Sequence, residues 1–126
     1  MKVMIVKTNN TVRGVEIITK GYNEVTWADL KKLTTGNIDT VYLDRISRLA
    51  YLYVMYVDKS TPDRPLNKLA TLLLNDPTKV VRGDVIVTRI EHLGAGAKIL
   101  ALENDEIDKI AKKLSTYSGS PIQVLK

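Results

Sequence analysis

The apolar pattern is densest at Leu49–Asp58, Leu-Ala-Tyr-Leu-Tyr-Val-Met-Tyr-Val-Asp, which the polar run Asp58–Pro62 closes. A membrane span needs about 20 consecutive apolar residues, so a run this short and rich in β-formers reads as a strand. Its alternate positions place Leu49, Tyr51, Tyr53, Met55 and Val57 on one face and Ala50, Leu52, Val54 and Tyr56 on the other. Both faces are apolar. Such a strand is central in a sheet, or has one face covered by another subunit.

The flanking pattern supplies the other elements. Lys2–Lys7 alternates as a strand, Asn9-Asn10 suits a tight turn, and Val12–Thr19 returns, which predicts an amino-terminal hairpin. Thr26 followed by Asp29 has the form of a capping box. It opens a short helix with Trp27, Leu30 and Leu33 on one face, Val25 placed to staple against Leu30, and Gly36 as terminator. Ile38–Leu43 is the next strand, and the turn Asp44–Arg48 leads into the Tyr-rich strand, so those two should pair antiparallel. Pro62 and Pro65 end that pairing. Leu66–Leu74 has the spacing of a short buried helix with Leu69, Ala70, Leu72 and Leu73 inward, ended by Asn75-Asp76-Pro77.

Val80–Ile90 is a β region interrupted by Arg82-Gly83-Asp84, where the glycine marks a turn or a bulge. Gly94–Ala97 reads as a flexible connector and Lys98–Leu102 as a last strand. Asn104 is expected to cap the final helix, with Asp105, Glu106 and Asp108 in its first turns and Lys112 and Lys113 in its last. Ile107, Ile110, Ala111 and Leu114 form its apolar stripe, and Tyr117–Lys126 remains as a tail with a short apolar end. The expected organisation is one domain over residues 1–126: an amino-terminal hairpin (1–24), a core (25–114) and a tail (115–126).

Composition narrows the chemistry. A chain of 126 residues is long enough to bury a core without staples. It has no cysteine and one histidine, His92, which excludes disulfides, thiolate metal sites and cysteine nucleophiles and makes a zinc site improbable. No cofactor or metal is expected. The amino terminus lacks the pattern of a signal peptide, so the chain is read as cytoplasmic and without a membrane segment. The net charge of +5 permits a polyanionic partner, but the cations are scattered among acids, which favours a mixed, solvated surface and only weak nucleic-acid binding.

The middle of the chain carries a resemblance. Leu30-x-x-Leu33-x-x-Gly36-x-Ile38-Asp39-x-Val41 is followed by a strand ending in Asp58. A Leu-x-Asn-x-x-Ala-Thr segment comes next, present as Leu66-Asn67-Lys68-Leu69-Ala70-Thr71 without the intervening residue, and then Gly83-Asp84-Val85 opening a strand. A closing Leu-x-x-x-Glu-Ile helix fits Leu102–Leu114. This order resembles small phage- and plasmid-borne proteins that share domain of unknown function 3846. It covers residues 25–114; the Tyr-rich strand and its basic approach depart from the family pattern. The resemblance implies a mobile-element accessory protein and brings no reaction and no catalytic residues.

Two groups of side chains stand out as candidate binding residues. Asp58, Lys59, Asp63, Arg64 and Asn67 lie close together in sequence and would form a polar site beside the sheet edge; the favoured, plainer use of such residues is in turns and caps. Arg45, Arg48, Tyr51 and Tyr53 have the form of a basic and aromatic surface for nucleic acid, although the same tyrosines serve equally as core or subunit-interface residues, and that reading is favoured. Arg82-Gly83-Asp84 matches an adhesion tripeptide by letters only. Gly94–Lys98 lacks the second half of a phosphate loop. No nucleophile or carboxylate set accompanies His92.

The expected fold is α+β, a mostly antiparallel sheet of five to six strands with two or three short helices on one face. The expected function is non-enzymatic binding of a macromolecule, foremost a host or viral protein. A nucleic-acid-binding regulator is the alternative, and a small enzyme acting on nucleotides the third. A homodimer through one face of Leu49–Val57 is expected, because two or three short helices would leave that face bare.

Overall fold

The computed structural model describes residues 2–17, 24–34, 38–43, 52–58, 63–74, 76, 78–93 and 96–125. Over these residues the chain is α+β, with three helices beside a seven-stranded, mostly antiparallel open sheet. The elements run β1 (Lys2–Val6), β2 (Thr11–Glu16), α1 (Trp27–Lys32), β3 (Ile38–Tyr42), β4 (Leu52–Asp58), α2 (Lys68–Leu74), β5 (Val85–Leu93), β6 (Gly96–Leu100), α3 (Asn104–Ser118) and β7 (Gln123–Leu125).

The predicted amino-terminal hairpin is present. Val3 pairs with Val15 and Ile5 with Arg13, and the turn closes where Asn10 takes a left-handed backbone, φ 65°, which asparagine tolerates better than most residues. The hairpin extends the sheet, in the order β3-β4-β5-β1-β2-β7. The axis of the sheet is β5. One of its edges takes β4 along Ile86–Ile90; the other takes β1 along Val85–Val87 and then β6 along Arg89–Leu93. β3 pairs antiparallel with β4 as expected, from Ile38 opposite Asp58 to Tyr42 opposite Val54.

Period-two alternation sorts the strands into two cores. Met4, Val6, Tyr53, Met55, Val85 and Val87 face α2 and α3, whose Leu69, Leu73, Ile107, Ile110 and Leu114 close over them. Val3, Val54, Tyr56, Ile86 and Ile90 face the other way and cluster with Val25 and Leu30 from the α1 region. The helices therefore do not share one face. The staple pair Val25 and Leu30 needs a sheet surface, and it takes the side that α2 and α3 leave open.

That placement removes the argument for a bare β4. Tyr53, Val54, Met55 and Tyr56 are all buried by this chain, Tyr56 beneath the indole of Trp27 at a centroid distance of 5.9 Å and 74° between planes. The side chains of Tyr53 to Tyr56 are thus covered within this chain, while Leu49, Ala50 and Tyr51 lie outside the described residues.

Several local expectations change. The tail is structured: α3 runs on to Ser118, left-handed Gly119 ends it at φ 72°, and β7 then pairs parallel with β2, half-burying Ile122 and Val124 against the α2–α3 core. This is the seventh strand, and Lys112 and Lys113 consequently fall before the last turn of α3. The cap of α3 is Glu103, with Asn104 inside the helix; the Glu103 backbone N–H donates to Glu106 Oε1 at 3.0 Å, an arrangement that competes with an asparagine cap one residue on. Gly96 and Ala97 already belong to β6, opposite Leu93 and His92, so the β5–β6 connection is a short hairpin. Leu72, expected inward, is half-buried, while Leu69, Ala70 and Leu73 are buried as expected. The expected stops at Gly36 and at Asn75 and Pro77 lie outside the described residues.

Candidate functional site

Asn67 is the most constrained of the nominated residues. It is fully buried just before α2. Its side-chain amide donates to the Val6 carbonyl at 2.9 Å and to the Gly83 carbonyl at 2.8 Å, and its carbonyl oxygen accepts from the Ala70 N–H at 3.0 Å. Its backbone N–H donates to the Val81 carbonyl at 2.8 Å. One side chain therefore caps α2, holds the end of β1 and holds the approach to β5. A buried amide with every group engaged has nothing left to offer a substrate.

Thr71 completes the lock. Its hydroxyl donates to the Asn67 carbonyl at 2.8 Å and accepts from the Val81 N–H at 2.9 Å. Gly83 follows with φ 76°, the left-handed region that favours glycine. A Cβ there would sit 2.8 Å from Arg64 Cδ. Asp84 accepts the Thr8 N–H at 2.9 Å, tying the first hairpin turn to the start of β5.

Of the remaining members of that group, Asp58 at the end of β4 has a side chain 4% exposed, which pairs with Arg64 at 3.6 Å. Asp63 is exposed, and Lys59 lies outside the described residues. The Arg–Tyr group is represented only by Tyr53, since Arg45, Arg48 and Tyr51 also lie outside the described residues. Tyr53 does not present its ring to solvent. It is 3% exposed, and its hydroxyl donates to Glu106 Oε2 at 2.8 Å. Stacking on a nucleic-acid base is therefore closed to Tyr53, because its ring belongs to the core.

Glu106 and Arg89 are not among the nominated binding residues. Glu106 Oε1 accepts from Arg89 Nη1 at 3.2 Å, so one carboxylate joins α3 to both β4 and β5. In the sequence Glu106 reads as one of several acids suited to a helix start and as the glutamate of the closing Leu-x-x-x-Glu-Ile pattern. Its burial becomes visible only when Ile107 and Ile110 beside it are seen to dock on the sheet. The group is a structural clamp, with its oxygens occupied by Tyr53, Arg89 and the Glu103 N–H.

Above the buried lock lies an exposed ridge. Leu66 pairs with Arg82 in an isolated antiparallel bridge, framed by the Asn67 N–H on the Val81 carbonyl and the Gly83 N–H on the Pro65 carbonyl. Val81 and Asn67 point inward, whereas Leu66 is 47% and Val80 63% exposed. Lys68, Lys79 and Arg82 stand exposed with them. Nearby acids are turned elsewhere: Asp58 to Arg64, Asp84 to the Thr8 N–H, and Asp76 to Thr78, whose hydroxyl and N–H hold the Asp76 carboxyl below its ordinary pKa. Among the described residues, Trp27, Tyr117 and Leu125 are the other large exposed apolar side chains, and no group of three acids or histidines is placed to hold a metal ion.

Compared with protein-family models, curated proteins and solved structures, the chain matches none of them. Among the described residues no helix is long and apolar enough to cross a membrane.

Proposed function

We propose that this is a non-enzymatic accessory protein of a virus or plasmid, working in the cytoplasm of the host cell by binding another protein. The observation that carries the binding reading is the exposed pair Leu66 and Val80, presented on a backbone that Asn67 and Thr71 hold rigid from beneath. Aliphatic side chains held outward on a pre-organised support lose little entropy on association, which favours recognition of a surface. The polar residues nominated for chemistry support the same reading, since Asn67, Asp58 and Tyr53 are each committed to holding elements together. The mobile-element context rests on the resemblance over residues 25–114.

The test is proximity crosslinking of the full chain in a host cell, followed by reconstitution of each crosslinked protein with purified components. A protein that rebinds with micromolar or tighter affinity, about 8 kcal/mol, supports the reading. If no crosslinked protein rebinds, or the purified chain turns over a nucleotide, the reading falls.

A further inference from the structure

We propose that Asp39 guards the outer edge of the sheet at β3, so that a second copy of the chain does not add its own β3 there and continue the sheet.

Which backbone groups of β3 look outward follows from one hydrogen bond. Among the described strands β3 is the last on its side of the sheet, with β4 as its neighbour. Leu43, one residue past β3, donates its N–H to the Tyr53 carbonyl at 2.9 Å, and the register that sets Tyr42 opposite Val54 sets Leu43 opposite Tyr53. In an antiparallel pair, positions bonded in this way alternate with positions whose N–H and C=O turn away from the partner. Val41 and Asp39 therefore bond toward β4, and the N–H of Thr40, opposite Tyr56, points to the outer edge. A further strand would take that N–H with a backbone carbonyl. It donates to Asp39 Oδ1 instead, at 3.0 Å. An arriving carbonyl would meet a carboxylate oxygen where it needs a donor, acceptor against acceptor.

The edge needs such a guard. Ile38 packs with the core on the α1 side and Val41 with the core under α2 and α3, while residues 38–41 stay only half-buried. Five residues that include Ile, Thr, Val and Tyr make a β-forming template, the kind of edge that pairs with other chains. The other margins are protected differently. β7 is three residues long, and β6 has its Ile99 carbonyl taken by the Val25 N–H at 2.8 Å and its Leu100 bridged to Glu24. At β3 the protection is one side chain. The strand it excludes is the one always present at equal concentration, the β3 of another copy. Antiparallel pairing of two such strands obeys a two-fold axis, so the seam would hold an Asp39 carboxylate from each copy and add like-charge repulsion.

The test is sedimentation equilibrium of the full chain across a concentration series. Asp39→Ala and Asp39→Val both remove the carboxylate, and each should self-associate about tenfold or more tightly than the parent chain. Valine is the better strand former, so the two variants together separate loss of the guard from loss of the fold, which circular dichroism reports. Thr40→Pro added to either variant should return association to the parent level. Proline has no N–H to give a new strand and, at an outward position, removes no bond to β4. A folded Asp39→Ala or Asp39→Val that associates no more tightly than the parent overturns the proposal. Association that persists in the folded double variant overturns it too, since it then runs through another surface. Loss of the fold in both single variants also overturns it, because Asp39 would then hold the chain together rather than guard its edge.

Discussion

Replacing Asn67 by alanine tests whether the lock beneath the ridge holds the fold. The substitution removes two donors, to the Val6 and Gly83 carbonyls, and one acceptor, for the Ala70 N–H. Each hydrogen bond contributes about 1 kcal/mol net, and a buried group left without a partner costs about 1–3 kcal/mol. Loss of the cap on α2 is part of the same sum, since the Ala70 bond is the cap and is worth about 1 kcal/mol by itself. The three together, with the small void left by the amide, give about 3–5 kcal/mol of destabilisation. Against a total stability of about 5–15 kcal/mol this is a large fraction, so the variant should be only marginally folded. Urea unfolding reads it directly, using the fluorescence of Trp27, the single tryptophan. Asn67→Asp should lose at least as much, because it keeps the acceptor but turns a carboxylate toward two carbonyls. An Asn67→Ala midpoint that corresponds to a loss below about 1 kcal/mol would refute the assignment of Asn67 as a lock.

Three further outcomes follow from the same contacts. Glu106→Ala should destabilise by about 2–4 kcal/mol in urea, because the buried Tyr53 hydroxyl loses its carboxylate acceptor and the half-buried Arg89 loses its ion pair with Glu106, whereas Asn104→Ala should stay within about 0.5 kcal/mol, since Glu103 occupies the cap. Gly83→Ala and Gly119→Ala should each cost about 1–2 kcal/mol for a left-handed backbone, and any excess at Gly83 measures the displacement of Arg64, because the space at Gly119 is open. Asp29, whose pKa is lowered first by the Thr26 hydroxyl and then by its N–H, stabilises the native state above the ordinary value of 3.8, and that stabilisation is lost as pH falls through its folded value; Asp29→Asn should flatten this part of the acid limb in a melting-temperature series.

The sequence was most legible where short-range chemistry decides the outcome. Thr26 and Asp29 form the reciprocal pair expected of them, with Asp29 N–H donating to the Thr26 hydroxyl at 3.2 Å and Thr26 N–H to the Asp29 carboxylate at 3.2 Å. Asn9-Asn10 turns the first hairpin, and alternation sorted Tyr53 and Met55 from Val54 and Tyr56. It was least legible where a short segment depends on distant partners. Gln123–Leu125 is three residues long and becomes a strand only because β2 offers an edge and the α2–α3 core accepts Ile122 and Val124. What covers the second face of β4 was likewise hidden, since no periodicity in Trp27–Lys32 says which side of the sheet α1 will cover.

The same division explains why the candidate residues moved inward. Asn67, Ala70, Thr71, Gly83 and Asp84 carry much of the resemblance, and each holds the structure in its own way, as a lock, a buried contact, a relay to Val81, a left-handed turn and a tie to Thr8 respectively. Together these residues fix the crossing of α2 over the ends of β1 and β5, a structural role that by itself implies no ligand. The side chains beside the lock are supported by it but not constrained. Leu66 precedes Asn67 and Val80 precedes Val81, so each exposed aliphatic residue is the immediate neighbour of a buried one. Substitution at Leu66 or Val80 leaves every hydrogen bond of the lock in place, whereas substitution at Asn67 destroys the platform. Replacements at Leu66 and Val80 should therefore cost within about 0.5 kcal/mol of stability, while the lock stays fixed beneath them.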